Sequence, residues 1–389
     1  MMWKRALPAA TALLAGALVL SACGAGGGGS GARATDTIKI GFLGDLTGES
    51  SGLVIGPRNG AKMVIEAYNA KNPPKKIELV EYDSQGTPDQ AVPLVTKAVQ
   101  DGIVAMIGPA FSGESKAADP VLEQAKIPNI SPVATNPGLA ENGWKYFHRV
   151  IASDAEQGPA IAQFLVSSTQ PKRAYVVNDD QEYSVGLADA VEKDLTAKGL
   201  TVGRDQFAQT ASDYSSTIAK IKAANPEVIF FGGYYSQGGR LLKQIRDAGV
   251  KALFAAGDGS LDVGLINGAG HGAAEGAIVG CPCAVPSRAS AQGDLKSFFD
   301  AYSAKYGADP GVYATEGYDA ATAFVKAIEA GNTTSESINN YLTTLSFQGV
   351  AKAIKFQPNG NVESTAIFIH RVHNGKFDLL GNSKDAKLG

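Results

Sequence analysis

Short β-branched runs alternate with longer stretches of helical periodicity along this chain, and the whole alternation occurs twice in the same order. Strands buried on both faces of a parallel sheet read as such near-continuous apolar runs, and parallel neighbours need crossover connections, usually helices. The fold class is therefore α/β, with two doubly wound parallel-sheet lobes. The first round places strands at 38–43, 77–82, 104–107 and 129–131, with helices at 53–69, 89–100 and up to about 125. The second starts near Asp154 with a helix through Phe164. Strands at 174–177, 201–207, 228–231 and 253–256 follow, with helices at 184–198, 213–223 and up to 248.

What remains after these two rounds is two helices, 295–306 and 316–330, and a strand at 365–372. That is too little for a third domain, so the chain is expected to return to the first lobe and then to the second. Lobe 1 is then 37–153 with 284–364, lobe 2 is 154–283 with 365–389, and several strands cross between them as a hinge. In sheets of this kind ligands collect beyond the carboxyl ends of the strands. The loops Gly108-Pro109-Ala110-Phe111-Ser112-Gly113 and Gly232-Gly233-Tyr234-Tyr235-Ser236 follow predicted strands, and facing lobes would direct them into one cleft.

Ahead of the lobes, Lys4 and Arg5 precede an apolar run from Leu7 to Leu20 that Pro8 and Gly16 interrupt, which suits a cleavable export signal over 1–22 better than a membrane span. Leu20-Ser21-Ala22-Cys23 resembles the bacterial lipoprotein box, in which the cysteine is acylated and becomes the new N-terminus. Residues 23–36, rich in glycine, read as a flexible tether. The expectation is an extracytoplasmic protein, lipid-anchored at Cys23 to the bacterial cell membrane.

Removing residues 1–22 from the 389 leaves 367 and moves the formal charge from −3 to −5. No basic run could neutralise a phosphate backbone, so nucleic acid is excluded as a partner. Neither a phosphate loop of the form G-x-x-x-x-G-K-[ST] nor a zinc helix H-E-x-x-H occurs, and the chain is expected not to be an enzyme and to need no cofactor or metal. Cys281 and Cys283 flank Pro282, and an oxidising exterior allows a tight disulfide between them. Two free thiols, or a metal site with His271, are the alternatives.

Several further segments together resemble the Leu/Ile/Val-type amino-acid-binding proteins of bacterial ABC importers, with the type I periplasmic-binding fold. They are Lys39-Ile40-Gly41 with Leu46-Thr47-Gly48, Tyr82-Asp83, Asp101-Gly102-Ile103, Ile107-Gly108, Ser131-Pro132-Val133-Ala134-Thr135, Asp154-Ala155-Glu156-Gln157-Gly158-Pro159 and Phe231-Gly232-Gly233-Tyr234. The resemblance covers nearly all of 37–380. It implies a monomeric receptor that closes around a free amino acid, Leu, Ile or Val first, and presents it to a membrane permease. Short amides, urea and aromatic acids are the alternative ligands, and a signalling receptor is the alternative role.

The resemblance also assigns a site. Ser112 matches the serine that takes the ligand carboxylate, which suits an anion at a helix N-terminus. Thr135 would bind the same head group and Val133, beside Ala134, would offer its carbonyl to the ammonium. Asp258 stands where the family often has a glutamate as counter-ion. Tyr183 and Tyr234 would close over the head from the second lobe, and Tyr313 would line the side-chain pocket. Two positions depart from the pattern. Leu53 replaces a tyrosine, and Phe111 falls on a half-cystine, so the side-chain wall differs and the family disulfide in lobe 1 is absent.

Outside the site, Arg149 is expected to hold the hinge by a salt bridge, Glu316 to complement a helix dipole, and His370 and His373 to lie at the surface.

Overall fold

The computed structural model describes residues 37–283, 285 and 291–388; the export signal, the tether and Cys23 lie outside the described residues. The chain runs β1 (Ile38–Gly44), α1 (Gly52–Ala70), β2 (Ile77–Asp83), α2 (Pro88–Gln100), β3 (Ala105–Ile107), α3 (Ser112–Ala125), β4 (Asn129–Ser131) and β5 (Phe147–Arg149). These five strands form one parallel sheet in the order β2-β1-β3-β4-β5. Every residue of β3 and β4 is buried, as the inner strands of a sheet covered on both faces must be, and the edge strand β5 is buried too, with its Arg149 N–H donating to the Gly360 carbonyl at 2.9 Å.

The second round contributes α4 (Asp154–Thr169), β6 (Arg173–Asp179), α5 (Glu182–Ala197), β7 (Thr201–Phe207), α6 (Ser215–Ala224), β8 (Val228–Gly232), α7 (Tyr235–Asp247) and β9 (Leu253–Ala256). After it come α8 (Val263–Ala269), α9 (His271–Ala274) and β10 (Ile278–Cys281). The chain then supplies α10 (Gly293–Tyr306), α11 (Ala314–Glu329), α12 (Ser335–Leu342) and a small antiparallel pair, β11 (Ser346–Gln348) with β12 (Ala353–Lys355). It ends in the hairpin β13 (Phe368–His373) and β14 (Lys376–Asn382). The second sheet has seven strands in the order β14-β13-β10-β9-β8-β6-β7, with β13 antiparallel to both neighbours.

Helix α11 lies along α1 with the two backbones in contact. A Cβ at Gly60 would sit 2.2 Å from the Ala314 carbonyl oxygen, and one at Gly317 would sit 2.1 Å from that of Pro57. Only glycine permits this approach, and it fixes Leu53 on α1 beside Tyr313 at the head of α11. Helix α10 is tied to the same helix by Asn59, whose amide donates to the Tyr302 hydroxyl at 3.1 Å.

One expectation about an individual residue is corrected here, and another gains a partner. His370 is buried, because β14 pairs with the outer edge of β13 and turns it into an internal strand. Neither of its ring nitrogens has a hydrogen-bond partner, and burial pushes its pKa down to about 4. His373 is exposed and pairs with Glu275 at 3.0 Å. Glu316 does stand in the first turn of α11, but it is fully buried and pairs with Lys352 at 2.9 Å. Among the described residues no helix is long and apolar enough to cross a membrane.

Candidate functional site

Leu53, Phe111, Ser112, Val133, Tyr183, Tyr234, Asp258 and Tyr313 all border one cavity between the two sheets, together with Gly259. The cavity measures about 10 Å³, roughly the space of one water molecule. Each residue arrives from a strand end or helix start. Ser112 opens α3 after β3, Val133 follows β4, Tyr183 stands in the first turn of α5 after β6, Tyr234 follows β8 and Asp258 follows β9. Ala134 and Thr135 are buried behind Val133 and do not line the cavity.

Asp258 is the centre of the hydrogen bonding. Its Oδ1 accepts from the Tyr183 hydroxyl at 2.7 Å and from Gln157 Nε2 at 3.0 Å, and its Oδ2 accepts from the Tyr313 hydroxyl at 2.5 Å. Its own N–H donates to Gln157 Oε1 at 3.0 Å. The Gly259 N–H in turn donates to the Tyr183 hydroxyl at 2.8 Å. Burial raises the pKa of Asp258, against the pull of the three donors.

Tyr313 reaches this position from a left-handed backbone (φ 58°), a conformation that costs a bulky residue about 1–2 kcal/mol. The strain is borne where the side chain meets the buried acid.

A second acid, Asp154, was legible only as part of a motif. It is the first residue of α4, capped by Ser153, and is fully buried. Asp154 Oδ1 accepts from Gln157 Nε2 at 2.6 Å and Oδ2 accepts from the Thr135 hydroxyl at 3.0 Å. Its pKa is pushed well up by burial and then by the charge of Asp258. Neither carboxylate has a cation within ion-pair distance among the described residues, although the field of Arg149 reaches Asp154. Gln157 was missed as a site residue too. The one signal for it in the sequence is its spacing three residues after Asp154, which puts both on one helix face.

Across the cavity the groups favour an anion. Ser112 stands at the N-terminus of a 14-residue helix, where free N–H groups and the dipole attract negative charge. Its hydroxyl accepts from the Asn136 N–H at 3.2 Å, tying the helix start to the loop that carries Val133 and Thr135. Arg149 supports that loop from beneath. Instead of the expected salt bridge, it donates from Nη1 to the carbonyls of Asn136 (2.9 Å) and Ala134 (3.3 Å), and from Nε to Asn361 Oδ1 (2.7 Å).

The walls are apolar. Phe111 and Tyr234 meet with ring centroids 4.8 Å apart, and Tyr234 meets Tyr183 at 5.1 Å. Leu53 closes one side and is fully buried. The arrangement offers a carboxylate at one end, a helix start at the other and an apolar wall between them.

Cys281 and Cys283 are joined by a disulfide where the chain leaves β10, and both are buried. Among the described residues no group of three His, Cys, Asp or Glu side chains could hold a metal. Gly48-Glu49-Ser50-Ser51-Gly52 has the spacing of a nucleophile elbow. Ser50, however, lies in the turn before α1 with its N–H bonded to Asp45, and no histidine lines the cavity that it borders.

Residues 37–376 match the family model described as periplasmic binding protein. The Leu/Ile/Val-binding protein of Citrobacter freundii is 31% identical over 385 residues, covering 97% of this chain and 98% of that protein. The leucine-, isoleucine-, valine-, threonine- and alanine-binding protein of Pseudomonas aeruginosa is 30% identical over 347 residues, with 87% and 91% covered. Among solved structures, a leucine binding protein from Thermotoga maritima superposes with a TM-score of 0.81 at 29% identity, over 89% of this chain and 98% of that one. A branched-chain amino acid transporter substrate binding protein from Streptococcus pneumoniae, in complex with isoleucine, also gives 0.81, at 26% identity over 89% of this chain and 100% of that one.

Proposed function

The chain belongs to the periplasmic binding protein family, and from that premise we propose that it captures a free amino acid, Leu, Ile or Val first, between two closing lobes. It is a solute-binding protein and not an enzyme, and it works outside the cytoplasm. In this reading it is a monomer that hands its ligand to the permease of an ABC importer. Cys23, in its lipoprotein box, is the membrane anchor, and replacing it with serine should abolish incorporation of labelled fatty acid into the protein.

One observation carries the ligand class. Asp258 is a buried carboxylate with three donors and no cation, and it faces a helix start at Ser112 across an apolar-walled cavity. A zwitterion with an apolar side chain satisfies both ends at once, its ammonium on Asp258 and its carboxylate on Ser112. A buried charge without a partner is costly, so a ligand lacking the ammonium leaves the site in deficit. The Val133 carbonyl completes the head-group cradle, and Thr135, bonded to Asp154 behind it, would reach the ligand only if the loop shifts on closure. The names of the relatives support the branched-chain assignment.

Closure is the working motion. A cavity of about 10 Å³ holds no amino acid, so the ligand enters only when the lobes part. Lobe 1 is 37–153 with 284–364, lobe 2 is 154–283 with 365–389, and the ligand favours the closed state by touching both.

The test is calorimetric titration of the purified protein, stripped of ligand by unfolding and refolding, against the proteinogenic amino acids, urea, short amides and benzoate. Tight binding of Leu, Ile or Val is expected, with a melting temperature that rises with free ligand. Silence across the amino acids with a response to an amide or benzoate would overturn the role given to Asp258.

A further inference from the structure

We propose that Tyr235 is a positioning residue for ligand capture: it touches no ligand, but it caps the start of α1 from across the cleft and so sets how long the closed complex lasts. The proposal rests on the amino-acid reading above. Helix α1 joins β1 to β2 of the first sheet, whereas Tyr235 opens α7, which joins β8 to β9 of the second. Tyr235 does not border the inner cavity, but the contact it makes, to Gly52, is one residue away from Leu53, which does.

A helix start leaves N–H groups that need an acceptor from outside the helix. The 19-residue α1 supplies none nearby: Ser51 makes no side-chain cap and the first turn holds no acid. The N–H groups of Leu53 and Val54 turn back to the carbonyls of Ser50 and Ser51. That of Gly52 donates to the Tyr235 hydroxyl at 3.3 Å. Asp262 comes to the same place. Its Oδ1 accepts from the Gly264 N–H at 2.7 Å, and its Oδ2 turns to Gly52, where a carboxylate suits the positive end of the helix.

The two sheets meet so tightly here that glycine is needed at the seam. A Cβ at Gly52 would lie 2.7 Å from Asp262 Oδ2 and 3.1 Å from the Tyr235 hydroxyl. The Tyr235 ring is held in turn by the start of α8, where a Cβ at Gly264 would lie 2.5 Å from its Cδ2. Arg240 of α7 also reaches Glu49 at 3.7 Å, but Glu49 is 71% exposed and that pair contributes little.

Because Gly52 and Tyr235 belong to different sheets, their contact is lost when the lobes part, and in the open form both groups return to water. The cap therefore favours the closed state whatever ligand is inside. Ligand meets the protein through the open cleft and leaves only after it reopens, so the effect falls on the rate of dissociation.

The experiment is stopped-flow kinetics and titration of the wild type, Tyr235→Phe and Gly52→Ala with leucine, isoleucine and valine. Tyr235→Phe should release leucine roughly three- to tenfold faster, the loss of one hydrogen bond, with the association rate and the ranking of the three ligands unchanged. Gly52→Ala should also speed release, while the ligand-free protein melts no lower than the wild type, since alanine is the better helix residue. A role confined to stability would not produce that opposition. If Tyr235→Phe does not fold, Gly52→Ala decides. Unchanged dissociation, or a changed ligand ranking, would overturn the positioning role and leave the amino-acid reading standing. A wild type that binds no amino acid would overturn that reading instead. The same variants, run with the amide or benzoate that does bind, must then show the same acceleration, or the positioning role falls with it.

Discussion

Asp154 and Asp258 share a single amide nitrogen, Gln157 Nε2, which lies 2.6 Å from Oδ1 of one and 3.0 Å from Oδ1 of the other. Two buried carboxylates so placed repel each other, and both have raised pKa values. In the reading proposed above, a ligand ammonium beside the pair would relieve that repulsion.

Asp258→Asn keeps the shape of the acid and removes its charge. A hydrogen bond to a charged group is worth about 1.5–3 kcal/mol, so amino-acid affinity should fall roughly 10- to 150-fold. The ligand-free variant should melt higher than the wild type, because the repulsion with Asp154 is gone. Calorimetric titration and scanning calorimetry read the two effects. Unchanged affinity would remove Asp258 as the ammonium partner.

Binding should also release protons. Where the pair's raised pKa values leave a carboxyl protonated in the free protein, an ammonium ligand favours its ionised form. Affinity is then expected to strengthen as pH rises through the mildly acidic range. Titrations at pH 5 in buffers of different ionisation enthalpy would show the release, and equal apparent enthalpies in all buffers would contradict it.

Glu114 offers a separate pH test, on stability. It is fully buried, and burial pushes its pKa up from 4.5 to about 7. A raised folded pKa means that its contribution is fully present below about 4.5 and lost as pH rises through about 7, a loss of about 3 kcal/mol by pH 8. Glu114→Gln can still accept from the Phe111 N–H and bond the Ser84 hydroxyl. The variant should therefore be the more stable protein at pH 8 by up to that amount, with the gap closing by pH 4.5 in urea unfolding. The buried histidines shift the curve equally in both proteins.

Arg149→Met tests the support beneath the ligand loop. It leaves the carbonyls of Ala134 and Asn136 without a donor, which should cost about 3 kcal/mol of stability. Ligand affinity should fall with it, since Val133 and Thr135 belong to the same loop. Urea unfolding checks the first effect and titration the second. A variant as stable as the wild type would show that water replaces the guanidinium.

The doubled α/β rhythm was plain in the sequence because it rests on apolar periodicity, which β1, β6, β8 and α1 carry strongly. Strands β5 and β14 left no such trace. Phe147-His148-Arg149 is three residues long and contains Arg149, buried only because it serves carbonyls that are remote in sequence. Strand β14 is a polar edge, and without it His370 reads as a surface residue. In the candidate site, loop position and resemblance pointed to Ser112, Asp258 and the tyrosines, which border one cavity. Asp154 stayed hidden because its role depends on Asp258, over a hundred residues away, and no local pattern encodes that distance.

The disulfide gives the last prediction. Cys281 ends β10 opposite Phe368 of β13, and the Pro282 carbonyl between the two cysteines accepts from Lys352 Nζ at 3.4 Å. Lys352 in turn pairs with Glu316 at the head of α11, three residues after Tyr313. The bridge closes only a three-residue loop, so chain entropy assigns it about 1.5 kcal/mol of stability. Urea unfolding with and without dithiothreitol should differ by about that much. Both sulfurs are fully buried in the closed form, so a thiolate reaches them only when this crossing opens. A ligand that holds the lobes closed should then slow reduction in proportion to its occupancy, as followed by thiol labelling over time. A reduction rate indifferent to saturating ligand would mean that the bond is reached without lobe movement, and that this crossing does not open with the cleft.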